Sequence, residues 1–375
     1  MEEASLSKRA LGLALLALIS GALVAGAALW GLSRTSSERT GVVVRGPYLQ
    51  ATTRHETTIA WRSAVPTPSL VHLAGKDVGT TSSLSLEHRV TLADLEEART
   101  YQYSVTGEVT THSFTTAPAA FAPFRALVFG DSGTGSGEQY ALSRLMSRES
   151  FDLVLHTGDV GYPDGADADF QDGFFEPYAW LLPEKTVFPT IGNHDMGPDN
   201  RSRDYLADFE TPANNEERSR LYYSFTWGCA KVVSIESSLL FKRPGPHLDW
   251  LARELASREL PWLVLVMHVP VYSTGPHGDS VELARTIEPL LARNKVDLVL
   301  AGHDHLYARG AKDGWTYVVT GGGGAKLYRV MNHHSWPEVT ESCHHYVTLD
   351  VSATKIAGTM VRVDGSIGDR FEVMK

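Results

Sequence analysis

The stretch VDLVLAGHDH, Val296–His305, joins a short apolar run to two histidines that stand one residue apart. A run of this length, rich in valine and leucine, is typical of a strand buried on both faces of a sheet. We therefore expect His303 and His305 to follow the carboxyl end of such a strand. A polar surface loop would explain the two histidines as well, so the rest of the chain must decide between a loop and a site.

Four other apolar runs end in the same way. Asp131 follows FRALVFG, Asp159 follows FDLVLHTG, Asn193 and His194 follow KTVFPTIG, and His268 follows PWLVLVM. Helical patterns at 137–150, 247–260 and 280–294 alternate with these runs and predict an α/β domain. Because ligands of open α/β sheets bind outside the carboxyl ends of the strands, we expect these polar side chains to meet.

The residue types at these strand ends predict a metal site. Carboxylate, amide and imidazole donors without cysteine suit iron, manganese or zinc better than thiophilic metals. The donors exceed what one catalytic ion needs, so we expect two ions that share a bridging carboxylate. Pairs of ions about 3.5–4 Å apart are the usual arrangement for phosphate ester hydrolysis.

Five motifs together resemble the series found in the calcineurin-like metallophosphoesterases: GDSG (130–133), GDVGY (158–162), GNHD (192–195), LVMH (265–268) and GHDH (302–305). Tyr162, three residues after Asp159, makes the chain similar to the purple acid phosphatases within that superfamily. The resemblance implies a first metal, Fe(III), held by Asp131, Asp159, Tyr162 and His305. It implies a second metal, Fe(II), Zn or Mn, held by Asp159, Asn193, His268 and His303.

The same resemblance implies an acid phosphatase that hydrolyses small phosphate monoesters by direct attack of a metal-bound hydroxide. His194 and His277 would bind phosphate oxygens, and one of them would protonate the leaving alcohol. A phosphodiesterase or pyrophosphatase on the same fold is the first alternative. A catalytically degenerate surface binding protein is the second.

Two smaller expectations concern residues beside the site. If 302–305 is extended, the two histidines share one side and Asp304 turns away, so we expect Asp304 to tolerate substitution. We expect His156 to be a core histidine that orients a ligand loop.

Two domains are expected beyond the N-terminal segment. Residues 42–117 contain short alternating runs such as TTIAWRS and SLVHLAG, which predict an all-β sandwich. This region resembles the fibronectin-III-like N-terminal domain of the purple acid phosphatases. For 123–375 we expect a catalytic domain of two mixed β-sheets packed together and flanked by helices, an αββα fold.

Composition and the N-terminus bear on partners and location. The chain has 34 Lys+Arg against 44 Asp+Glu, a net charge of −10, so we expect no nucleic acid as the main partner. Residues 10–32 contain no charged side chain and are long enough to cross a bilayer. We expect residues 1–41 to be an export signal or an anchor with a linker, and the protein to be extracytoplasmic, either secreted or held by one transmembrane helix. Whether Cys229 and Cys343 pair is open.

Overall fold

The computed structural model describes residues 43–240, 245–331 and 336–375. The predicted signal or anchor at 10–32 lies outside the described residues. None of the helices within the described ranges is both long and apolar enough to span a bilayer.

An antiparallel sheet of five strands forms the first part of the described chain. Its strands are β1 (Val43–Gln50), β2 (Thr57–Leu73), β3 (Lys76–Leu92), β4 (Thr100–Val105) and β5 (His112–Thr115). Apolar side chains from all five strands, such as Trp61 and Phe114, form a core of their own. The all-β prediction agrees with this region, and the finer assignment to a fibronectin-III-like fold stays a prediction.

Strand β2 differs from the prediction. TTIAWRS and SLVHLAG were expected to be separate strands, but they belong to one strand of 17 residues. The pairing of β2 with β3 shifts register between Arg62 and Thr67 and again between Pro68 and Ser69. Such bulges accommodate prolines, which cannot donate to the ladder, so the strand continues through them.

Two mixed sheets make up the rest. The six-stranded sheet contains β6 (Phe124–Phe129), β7 (Leu153–His156), β8 (Thr186–Pro189), β16 (His345–Val351), β17 (Lys355–Arg362) and β18 (Ile367–Met374). The seven-stranded sheet contains β9 (Tyr223–Trp227), β10 (Ala230–Ile235), β11 (Trp262–Met267), β12 (Leu298–Ala301), β13 (Tyr307–Lys312), β14 (Trp315–Thr320) and β15 (Pro337–Glu341). Strands β6, β7 and β8 are parallel, as are β10, β11, β12 and β14.

The sheets pack on each other and helices cover their outer faces. Val128 and Leu155 of one sheet share a buried core with Val264 and Leu300 of the other. The helices are α1 (Gly137–Met146), α2 (Asp167–Phe170), α3 (Arg203–Asp208), α4 (Ser237–Leu240), α5 (Gly245–Ala256) and α6 (Val281–Asn294). Helix α1 packs on the six-stranded sheet, and α5 and α6 pack on the seven-stranded sheet. This is the αββα arrangement expected from the alternating pattern.

Helices α1 and α5 end earlier than their sequence patterns predicted. The expected helices at 137–150 and 247–260 stop at Met146 and Ala256, where polar residues replace the apolar stripe. Both cysteines are free: Cys229 is buried, and Cys343 is half-buried. The structure therefore contains no Cys229–Cys343 disulfide.

An arginine of β1 joins the N-terminal sheet to the helices beyond it. Arg45 Nη1 lies 2.8 Å from Asp208 Oδ1 and 2.9 Å from Asp167 Oδ1. Its Nε donates to Gln171 Oε1 at 2.6 Å, and its guanidinium lies 4.4 Å from the centre of the Phe175 ring. The side chains of Arg45 and Asp208 are 2% and 1% exposed, so this ion pair is buried.

Candidate metal site

The predicted ligands all follow the carboxyl ends of parallel strands. Strands β6, β7 and β8 of one sheet and β11 and β12 of the other end a few residues before them. The Asp131 N–H donates to Gly158 O at 2.9 Å, and the Gly302 N–H donates to His268 O at 3.0 Å. These backbone hydrogen bonds join the ligand loops in pairs. The ligand loops of both sheets therefore lie together, at the carboxyl ends of the parallel strands.

One group of donor atoms surrounds the Tyr162 hydroxyl. Tyr162 Oη lies 3.0 Å from Asp159 Oδ2, 3.4 Å from Asp131 Oδ1 and 3.1 Å from His305 Nε2. Ligands that are each about 2.1 Å from a metal ion and adjacent around it are roughly 3 Å apart. The group therefore has the spacing of donors that share one ion.

A second group surrounds His268 Nε2. This atom lies 3.0 Å from Asn193 Oδ1, 3.3 Å from Asp159 Oδ2 and 3.3 Å from His303 Nδ1. Asp159, His268 and His303 each contribute one ligand atom to this group, and these three atoms lie within 4.8 Å of one another. Asp159 takes part in both groups, so its carboxylate is placed to bridge two ions.

Hydrogen bonds outside the two groups orient the histidines. His268 Nδ1 lies 2.9 Å from Thr157 O, and His305 Nδ1 lies 2.7 Å from Lys326 O. A carbonyl oxygen only accepts, so both Nδ1 atoms carry a hydrogen, and Nε2 is the ring nitrogen that each histidine presents to its donor group. Metal-binding histidines commonly have such carbonyl partners.

The site gathers buried acidic groups that need positive charge nearby to be ionised. Burial raises the pKa of Asp131 well above its ordinary value, and the nearby Asp159 adds to this. Burial opposes ionisation of Asp159 too, but the charge and hydrogen bond of His268 bring its pKa below the ordinary value. Burial and the same two carboxylates raise the pKa of Tyr162. Within the described residues, no lysine or arginine forms an ion pair with either carboxylate, so metal ions fit the missing positive charge.

The backbone is strained at three of the predicted ligands. Asp131, Asp159 and His303 have φ angles of 56°, 53° and 70°, a region that side chains with a Cβ rarely adopt. Strain of this kind persists where the surrounding structure holds it, often at functional sites.

Two glycines allow the ligand loops to touch. A Cβ at Gly192 would lie 2.1 Å from Asp159 Oδ1, and a Cβ at Gly158 would lie 2.5 Å from His268 Nδ1. Each glycine thus stands directly against a ligand from another loop, and a side chain at either position would displace that ligand.

The two candidate substrate histidines flank the donor groups. The His194 ring centre is 4.4 Å from that of Tyr162, and the His277 ring centre is 4.2 Å from that of His303. His194 Nδ1 lies 2.6 Å from Pro163 O, while His277 Nδ1 lies 2.8 Å from Asp304 Oδ1. The structure thus brings together all nine residues that the sequence predicted for the site.

The extended geometry expected for His303–His305 was wrong, although Asp304 does turn away from both donor groups, and its tolerance of substitution stays a prediction that its contacts oppose. Residues 302–306 turn instead of extending, as the positive φ of His303 shows. Asp304 is 0% exposed, and it accepts hydrogen bonds from the Ser273 hydroxyl and from His277. A period-two pattern cannot reveal this, and the only sequence signal was an acidic residue between two histidines.

Two further residues support the ligand loops. His156 is buried, as expected: its Nε2 lies 2.9 Å from Ser132 Oγ, and burial lowers its pKa to about 3. The carboxylate of Asp195 accepts hydrogen bonds from three backbone N–H groups, those of Val160, Gly161 and Gly192. Asp195 therefore joins the loop after β7 to the loop after β8.

Comparison with known proteins agrees with this geometry. Residues 124–307 match the family model described as calcineurin-like phosphoesterase. Purple acid phosphatase 21 of Arabidopsis thaliana is 32% identical over 233 residues, which are 59% of this chain and 53% of that protein. Phosphoenolpyruvate phosphatase of Allium cepa is 28% identical over 291 residues, 70% of this chain and 56% of that protein.

A solved structure shows the same fold. The purple acid phosphatase PPD1 from yellow lupin (Lupinus luteus) seeds aligns with a TM-score of 0.78 at 20% identity, over 90% of this chain and 75% of that chain. The chain spans about half the length of the curated relatives it matches.

Proposed function

We propose that this chain, which matches the calcineurin-like phosphoesterase family model over residues 124–307, hydrolyses phosphate monoesters at a dinuclear metal centre in the manner of an acid phosphatase. The observation that carries the proposal is the pair of donor groups that share Asp159. The similarity to proteins named as phosphatases supports it.

Each donor group would hold one ion. Asp131, Tyr162 and His305 would complete the first site with Asp159, and their anionic oxygen donors suit Fe(III). Asn193, His268 and His303 would complete the second site with the same carboxylate, and this set suits Fe(II), Zn or Mn. Two such ions lower the pKa of water and neutralise charge on the transferring phosphoryl group.

The histidines beside the donor groups would act on the substrate. His194 and His277 each have Nδ1 beside an oxygen acceptor, which leaves Nε2 as the ring nitrogen for the substrate. Histidine suits both the binding of phosphate oxygens and the transfer of a proton to a leaving alcohol near neutral pH.

Hydrolysis of p-nitrophenyl phosphate tests the proposal. We expect activity in the wild type and its loss in Asp159→Ala, because that variant removes the shared ligand. Asp350→Ala is the matched control, since its side chain is 59% exposed on β16, and it should keep wild-type activity. A wild type that contains fewer than about one metal ion per chain would contradict the dinuclear site.

A substrate panel separates the alternatives. Phosphate monoesters should be hydrolysed faster than a phosphodiester or pyrophosphate. Phosphoenolpyruvate belongs in the panel because the Allium cepa relative is named for its hydrolysis. A preference for the diester or for pyrophosphate would favour the alternative activities, and bound metal without any hydrolysis would favour a binding protein.

A further inference from the structure

We propose that Asp304 is a positioning residue that holds His277 in place for the hydrolytic step. The inference rests on the proposed function, because it concerns a histidine assigned there to the substrate. Asp304 lies between the predicted ligands His303 and His305, but its carboxylate points to neither donor group. It contacts the loop Ser273–His277 instead.

The loop is folded around the Asp304 carboxylate. One oxygen, Oδ2, accepts the Ser273 hydroxyl, and the other, Oδ1, accepts His277 Nδ1–H at 2.8 Å. The Ser273 hydroxyl oxygen in turn accepts the Gly275 N–H at 2.9 Å. A Cβ at Gly275 would lie 2.4 Å from Asp304 Cγ, so the loop backbone passes directly over the carboxylate.

The contact with Asp304 determines which ring nitrogen of His277 is available to a substrate. A carboxylate only accepts, so His277 Nδ1 carries the hydrogen and Nε2 is left for a substrate. No described residue forms a hydrogen bond with that Nε2. The ring centre also lies 4.2 Å from that of His303 and 5.4 Å from that of Tyr328, so neighbours restrict its rotation.

Asp304 and His277 differ in burial, as expected when a buried residue holds an accessible one. Asp304 is 0% exposed, whereas the His277 side chain is 44% exposed. His194, on the other side of the site, has the Pro163 carbonyl as its Nδ1 partner among the described residues. Among the described residues, no lysine or arginine forms an ion pair with the Asp304 carboxylate, which instead holds the half-exposed His277. This is the geometry of a buried group that orients a reactive side chain.

A double-mutant cycle on the metal-loaded protein tests the inference. We expect His277→Ala to lower kcat/KM for p-nitrophenyl phosphate by about 100-fold, and Asp304→Ala by at least about 10-fold. The double variant should be no slower than His277→Ala, because Asp304 acts through the histidine. If Asp304→Ala lowers kcat/KM by the same factor in both backgrounds, the proposal is overturned.

Asp304→Asn is the second variant, because alanine leaves a buried gap that could impair folding. We expect an intermediate loss of kcat/KM with unchanged metal content, since the amide oxygen can still accept from His277. Loss of bound metal in both variants would overturn the proposal, because Asp304 would then support the metal-binding loop.

A measurement without turnover separates this inference from the proposed function. In the zinc-loaded protein with 15N-labelled histidine, the His277 signal is the one lost in His277→Ala. It should show hydrogen on Nδ1 in the wild type and a mixture of tautomers in Asp304→Ala. An unchanged tautomer would refute the positioning role. A wild type that shows this tautomer but no phosphatase activity would refute the proposed function alone.

Discussion

Replacing Arg45 with alanine should destabilise the protein strongly and in a pH-dependent way. The guanidinium contacts Asp208 at 2.8 Å, and the Asp208 side chain is 1% exposed. Its removal leaves a buried carboxylate whose remaining arginine, Arg62, is 3.5 Å away. Breaking a buried pair in this way costs about 3–5 kcal/mol in the free energy of unfolding.

Protonation sets an upper limit on the part of this loss that comes from charge. Burial already raises the pKa of Asp208 to about 7 in the intact protein, although Arg45 lowers it, so removal of Arg45 raises this pKa further. Both proteins therefore lose stability as pH rises from about 4 to 7. Only the variant continues to lose stability above pH 7, by about 1.4 kcal/mol for each pH unit. Lost packing of Arg45 on Phe175 adds about 1 kcal/mol that does not depend on pH.

Urea unfolding of wild type and Arg45→Ala at pH 8 and pH 6 measures both parts. The difference between the two proteins should shrink by about 1.4 kcal/mol from pH 8 to pH 6. Arg253→Ala is the matched control, since its side chain is 56% exposed and that of its partner Glu216 is 61% exposed. The control should cost less than about 1 kcal/mol at either pH.

Two results would refute this reasoning. An equal loss for Arg45→Ala at both pH values would show that packing, and not the unpaired charge of Asp208, causes it. A loss in Arg253→Ala as large as that in Arg45→Ala would show that burial does not decide the cost.

Three other predictions concern the site and the pH dependence of stability. Gly192→Ala should lower metal content and activity by at least about 10-fold, because its Cβ would lie 2.1 Å from Asp159 Oδ1; wild-type metal content would contradict this. Tyr162→Phe should remove a broad visible absorption band from the iron-loaded protein, and a band that persists would mean that another residue binds Fe(III). Burial lowers the pKa of His247 to about 4, and its ring stacks 3.9 Å from that of Tyr222. The neutral form is favoured in the folded state, so His247 costs stability as pH falls from about 6.5 towards 4, and His247→Phe should lower the pH dependence of urea unfolding there by up to about 3 kcal/mol.

The sequence predicted the αββα layers because the buried strands are short apolar runs that end in polar residues. Asp131 and His268, for example, follow strands from different sheets, and the rule that ligands lie at carboxyl strand ends was enough to bring them together. The order of strands within each sheet was not predicted, because pairing depends on contacts between residues distant in the chain.

The errors arose where the backbone leaves a regular period. His303 has a left-handed φ, so the alternation assumed for His303–His305 failed and the buried role of Asp304 was missed. In β2, the two prolines suggested a break, but bulges in the pairing with β3 kept the strand continuous. The contact between Arg45 and Asp208 joins positions 163 residues apart, which no local pattern reveals.

The left-handed backbone at Asp131, Asp159 and His303 places metal ligands at a cost in the stability of the fold. A residue with a Cβ costs about 1–2 kcal/mol in this conformation, and glycine avoids that cost. Glycine at any of the three positions would therefore relax the backbone of the metal-free chain while deleting a donor. A descendant of this chain freed from selection for activity would gain stability by losing its ligands first, so loss of the site would precede loss of the fold.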